Sequence, residues 1–269
     1  MQTGDDRILV IYDREDHEAA ERLLESAGRQ LGALDAHYGL SAPRRLRLVV
    51  LTSWMRFPFQ TAPWFLQPWV ALTLPFWGIR TQRIWSIAGG WQQGYPGGVS
   101  AVGVKPPRML ARADRSLGEK LYLEIDDPWL KMESILAHEL THACSNHLHL
   151  PVWLHEGLAM AAVDHLLGRP TVRPDTRAGI RADMLTPDRL RSAYQGRDLE
   201  SLLMLYAGGY WLVRWLEDER NDVLQELLDQ RRSKKEVTQR VAAAMGCNAD
   251  QLWYCAERIL AGSNVPGTV

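Results

Sequence analysis

Apolar positions along the first fifty residues change rhythm twice. "RILVIYD" (7–13) is a continuous apolar run of the length of a buried strand. In "EDHEAAERLLESAGRQLGALDAHYG", Ala19, Leu23, Leu24, Ala27, Leu31 and Leu34 recur at helical spacing, with Gly39 as a stop. "RRLRLVVLTS" (44–53) alternates and then turns wholly apolar, which predicts a second strand. The chain therefore opens β-α-β. Turn-forming glycines around short strands follow in "AGGWQQGYPGGVSAVGVKPP", and the alternation of "KLYLEID" (120–126) predicts one more strand.

Beyond residue 126 the period is helical. Asp127-Pro128 gives a capping acid followed by proline at the first helical position, so a helix is expected from Pro128 to about Asn146. A second is expected from Trp153 to Leu167, closed by Gly168. Residues 169–198, rich in arginine, aspartate and proline, read as a long, partly ordered connection. A helix over 206–219 and three shorter amphipathic ones reaching Leu260 complete the pattern. The expected fold class is α+β: an N-terminal α/β lobe with a short mixed sheet (1–126) and a mainly helical lobe (127–269), together one catalytic domain.

One stretch breaks both rhythms. From Phe57 to Ile79 no charged residue occurs, a length that could cross a bilayer. Its four prolines (58, 63, 68 and 75) leave no room for an unbroken helix longer than two turns. The insert, taken as residues 54–91, is expected first as a Trp-rich packed loop or apolar substrate wall, then as an interfacial membrane anchor, and last as a spanning helix.

Composition narrows the remaining classes. The chain has 269 residues, 31 Lys plus Arg against 32 Asp plus Glu, and a formal net charge of -1. That balance argues against a nucleic-acid partner, which calls for a basic face. Cys144, Cys247 and Cys255 are too few and too scattered for a disulfide framework and are expected to be buried free thiols. "MQTGDDRILVIYDRED" lacks a basic segment followed by an apolar core, so a cytoplasmic setting is expected, or a secreted one if a leader has been trimmed; a monomer is also expected.

The candidate chemistry lies in "HELTHACSNHLHLPVWLHEGLA" (138–159). On a helix, His138 and His142 share one face with Glu139 beside them. Two neutral imidazoles can bind zinc, and the carboxylate can take the proton of an attacking water. Ile135, Leu136, Ala137, Leu140, Ala143 and Cys144 make this helix apolar nearly all round, so the polar trio needs partners. Zinc at a catalytic centre also needs a third protein ligand. His147, His149, His155 and Glu156 all compete for that place. His147 and His149, at the helix end, would need a sharp turn without glycine, whereas Glu156 lies early in the second helix. Gly157 beside it would let the two helices approach closely.

"HELTH" followed by "WLHEGLA" resembles the gluzincin metallopeptidases, above all the peptidase-MA-like group, and is more distantly similar to aminopeptidase N and thermolysin. The resemblance implies a zincin-like fold, one Zn²⁺ per chain held by His138, His142 and Glu156, and Glu139 as general base. It also implies a peptide or protein substrate. "YAGGYWLVRWLED" (206–218) is similar to the aminopeptidase segment whose tyrosine donates to the oxyanion, which implies that role for Tyr206; Tyr210 and Trp211 compete for the same helix face. His155 is left at the rim.

Two features depart from the family. "GGWQQGYPGGVSAVGV" carries no acid to bind a substrate's free amine, so aminopeptidase specificity is not implied. Met160 stands where relatives place an acid that orients a zinc histidine, leaving Asp164 as one candidate for that task. Against the peptidase stand a gluzincin-like module that binds peptides without cutting them and a membrane-surface hydrolase anchored by residues 57–79.

Overall fold

A computed structural model describes residues 1–4, 7–85, 88–110, 118–194 and 198–262. The chain divides into two compact units, 1–117 with 124–144, and 118–123 with 145–269.

The first unit is built on a five-stranded mixed sheet of order β1-β2-β3-β5-β4: β1 (Gln2–Gly4), β2 (Ile8–Ile11), β3 (Arg45–Val50), β4 (Gly90–Tyr95) and β5 (Val99–Val104). The expected opening is present. α1 (His17–Tyr38) connects β2 to β3, which pair in parallel with Val10 opposite Leu48, and Gly39 closes the helix at φ 66°. β5 pairs in parallel with β3, while β1 and β4 run antiparallel at the two edges. The three inner strands carry Val10, Leu48, Val49, Ala101 and Val102, all at or near zero exposure, as a sheet covered on both faces requires.

The insert departs from expectation. α2 (Arg56–Thr61) is short and packs through Phe57, which joins a core cluster with Ile11, Val49, Leu51 and Ala101. α3 (Gln67–Trp85) then runs for 19 residues, straight through Pro75. The prolines do not limit the helix to two turns. Pro68 falls in the first turn, where its missing N–H has no intrahelical partner anyway, and an interior proline removes one hydrogen bond and bends a helix without ending it. α3 is not a loop packed on the core either, since Trp69, Leu72 and Phe76 are all exposed. No helix among the described residues is long and apolar enough to cross a membrane. α4 (Pro107–Leu110) is a single turn after β5, with Leu110 buried.

The expected strand at 120–126 is absent. Gly118–Leu121 forms a helical turn, α5, and Tyr122 makes only an isolated bridge with Val172. Leu121 is buried but Leu123 is 41% exposed, so the alternation in sequence has no sheet face to match. α6 (Pro128–Ser145) starts as read: Asp127 Oδ1 accepts the Trp129 N–H at 2.9 Å.

The second unit is helical. α7 (Val152–Leu167) is closed by Gly168 in the left-handed conformation. Residues 169–194 hold more order than expected: α8 (Asp175–Ala178), a 3₁₀ turn at Ala182–Met184 and α9 (Pro187–Tyr194), with Val172, Ile180, Met184 and Leu185 buried. α10 (Leu199–Glu219) begins well before Tyr206 because Asp198 caps it, its carboxylate accepting the Ser201 N–H. α11 (Asn221–Asp229), α12 (Lys234–Ala244) and α13 (Leu252–Gly262) are the three short helices expected.

Candidate metal centre

α6 is a buried helix that carries its own polar trio. Met132, Leu136, Ala137, Leu140 and Cys144 are within 1% of full burial, and Thr141 returns its hydroxyl proton to the Ala137 carbonyl. One turn apart on this helix, His138 Nε2 and His142 Nε2 stand 3.0 Å from each other, with the two rings nearly perpendicular. Two nitrogens bound to one tetrahedral zinc at ordinary bond lengths would be about 3.3 Å apart, so the spacing suits a shared ion. One ligand atom from each of His138, His142 and Glu156 lies within 4.8 Å of the others. Two imidazoles and one carboxylate form a donor set suited to zinc, and three protein ligands leave the fourth position open.

The other histidines of the segment stand apart from that group. His147 and His149 are exposed at the end of α6. The turn there needs no glycine, because His149 itself adopts the left-handed conformation, φ 54° and ψ 41°. His155 is half-buried, one residue before Glu156. Cys144, two residues beyond His142, has its thiol pushed up to about 12 by burial, which keeps it protonated and a poor ligand. All three cysteines are free thiols.

Gly89 and Gly90 carry a signal that the sequence held but composition did not reveal. A Cβ on Gly90 would lie 2.7 Å from Glu139 Cγ and 2.9 Å from Glu139 Oε1, and one on Gly89 would meet Ile135 Cδ1 at 2.5 Å. The start of β4 therefore lies directly against the Glu139 and Ile135 side chains, which would have to shift for any residue larger than glycine. A glycine pair entering a strand is the mark of such a close approach.

Gly157 also has a different role from the one expected. Its missing Cβ makes room for α10: a methyl there would meet the Gly209 carbonyl at 2.3 Å and the Tyr210 nitrogen at 2.8 Å. Gly209 in turn faces the Trp153 carbonyl at 2.0 Å from its own notional Cβ. α7 and α10 thus cross backbone to backbone just after Glu156.

Asp164, a candidate partner for a zinc histidine, is committed elsewhere. Its Oδ1 accepts the Thr171 N–H and hydroxyl at 2.7 and 2.6 Å, and its Oδ2 accepts the Tyr210 hydroxyl at 2.5 Å. Burial holds this carboxyl above its ordinary value, against the lowering effect of those donors. Burial and the adjacent carboxylate push the Tyr210 phenol far up, so it remains a neutral donor. Trp211 Nε1 donates to Thr176, so both rivals of Tyr206 on α10 have other partners. Tyr206 itself is half-buried, one turn before Gly209.

No protein-family model and no curated protein matches the chain.

Proposed function

We propose that the protein is a zinc-dependent peptidase of gluzincin type, with a zincin-like fold. The observation that carries this reading is the convergence of His138, His142 and Glu156, with Glu139 on the same helix against the first residue of β4. His138 and His142 would hold the ion through Nε2 and Glu156 through its carboxylate. Bound zinc supplies Lewis acidity, bringing the pKa of a water toward neutrality and polarising a carbonyl. Glu139 takes the proton from the attacking water and delivers it to the departing amine nitrogen. Tyr206, by the resemblance of its segment, donates its hydroxyl to the developing oxyanion, an effect of a few kcal/mol.

The position of β4 gives the substrate an approach. It is the last strand of the sheet, its inner side is paired with β5, and Glu139 abuts its start at Gly90. An extended peptide added along the outer side would align its carbonyls with backbone donors of the strand, the ordinary mode of strand addition.

The test is Glu139→Gln. Protein purified without chelators should contain one zinc per chain in both forms, while hydrolysis of a peptide library falls by about three orders of magnitude or more in the variant. His138→Ala and His142→Ala should lose the metal. Zinc-free wild-type protein, or a Glu139→Gln form that cuts as well as wild type, would sink the peptidase.

A further inference from the structure

The insert leaves a band of aromatic side chains pointing away from its own unit. Trp64 is 82% exposed, Trp69 65% and Phe76 87%, with Phe65 and Leu72 also exposed. Trp69, Leu72 and Phe76 fall on one stripe of α3. The helix is held from the other side. Gly78 is buried against the Trp54 ring, Trp85 packs on the sheet core, and the Lys105 ammonium donates to the Trp85 carbonyl and sits 4.4 Å over its ring. The stripe thus faces away from these contacts, and large exposed apolar stripes mark contact surfaces.

Composition says what the stripe contacts. All four phenylalanines of the chain and six of its eleven tryptophans (54, 64, 69, 77, 85 and 91) fall between residues 54 and 91. Tryptophan is the residue most at home at a bilayer interface, where its ring lies among acyl chains and its N–H meets the headgroups. The surrounding charge is one-sided. From Ala36 to Ala113 there is no aspartate or glutamate, while Arg44, Arg45, Arg47, Arg56, Arg80, Arg83, Lys105, Arg108 and Arg112 all fall in that span. Arg56 and Arg108 are paired with Asp13 and with Glu15 and Asp16, and Lys105 is buried, so among the described side chains it is the exposed Arg44 and Arg45 that complement an anionic surface. No described helix is both long and apolar enough to span.

We infer that residues 56–85 form an interfacial docking element, which lays the Trp64, Phe65, Trp69, Leu72 and Phe76 side chains into the headgroup region of an anionic bilayer without crossing it. This inference does not rest on the zinc reading, and Glu139→Gln protein should dock as wild type does.

The full chain is tested by flotation with vesicles of phosphatidylcholine alone and with about 30 mol % phosphatidylglycerol. Wild type should float with the anionic vesicles, its tryptophan emission should move to the blue, and about 0.5 M NaCl should release most of it. Trp69→Ser/Phe76→Ser should bind at least about tenfold more weakly with an unchanged melting curve, because those side chains touch solvent and not the core. If that variant misfolds, quenching of wild-type tryptophan emission by bromine-labelled acyl chains gives the same answer. The inference is overturned if wild type floats with neither vesicle, or if the folded variant floats equally well. It is also overturned if wild type ignores vesicles but is a dimer that the double substitution makes monomeric, or captures an acidic protein instead.

Discussion

Two glycine contacts flank the helices that carry the metal group, and they differ in what they press against. Gly90 faces side chains, that of Glu139, which can rotate, and that of Ile135, which its branched Cβ makes stiffer. Gly157 and Gly209 face backbone: the carbonyl of Gly209, the nitrogen of Tyr210 and the carbonyl of Trp153. Side chains can yield by rotation at modest cost, whereas two helix backbones can yield only by separating, which opens everything packed around them. The first contact is therefore a constraint on chemistry and the second a constraint on folding.

The largest expected effect is at the crossing. Gly209→Ala should destabilise the protein by about 3 kcal/mol or more, at the upper end of overpacking, read as a shift of the urea midpoint or the melting temperature. Gly157→Ala should behave alike. If either methyl is accommodated with less than about 1 kcal/mol of loss, the distinction between the two contacts collapses.

Tyr210→Phe should rank next, at about 1–3 kcal/mol, because it leaves one buried oxygen of Asp164 without its donor. It also sharpens a contrast in pH response. Asp164 has a raised carboxyl value, so its contribution to stability is complete below the unfolded value, near 3.8, and is lost as pH rises through the raised folded value. Asp13 has the opposite sign. The hydrogen bond from Arg56 lowers its carboxyl value, so its contribution is present above the unfolded value and is lost as pH falls through the lowered one. Urea midpoints measured from pH 3 to 7 should show Asp164→Asn removing an acid-side gain and Asp13→Asn removing an acid-side loss. Tyr210→Phe should extend the Asp164 window to higher pH, since it deletes a lowering hydrogen bond. Equal slopes in all these variants would refute the assignment.

The smallest effect on stability should come from Gly90→Ala, at about 1–2 kcal/mol, because Glu139 can swing aside while the Ile135 Cγ2, 2.6 Å from the new Cβ, has to be displaced. If Glu139 is the base, hydrolysis should nevertheless fall by about tenfold or more with zinc content unchanged. A variant that loses stability but keeps its activity would reverse the roles given to the two contacts.

What could be read from the sequence was what is decided locally. Asp127-Pro128, Gly39 and Gly168 act within one turn of their own position, so the ends of α1, α6 and α7 were legible, and so was the common face of His138 and His142. What depends on a distant partner was not. "KLYLEID" has the period of a strand, but no neighbouring strand extends its one bridge to Val172. "QTG" has no pattern at all, yet it becomes β1 because β2 offers it an edge. A proline's effect depends on where in a turn it falls, which the spacing of the insert's four prolines does not reveal. Asp164 is four residues from Met160 in sequence, but Thr171 and Tyr210 take its oxygens, and nothing near Met160 reveals that. Gly90 is legible in principle, as a glycine pair before a strand.

The crossing at Gly157 and Gly209 also ties two distant letters of the sequence together. Neither position tolerates a side chain while the other helix stays in place, so a change at one gains nothing unless the helices part. Any remote relative that keeps this helix pairing must therefore keep glycine at both places, whatever else has drifted. HELTH alone is short enough to recur by chance. HELTH together with these two glycines is a far narrower key by which kin of this chain can be recognised.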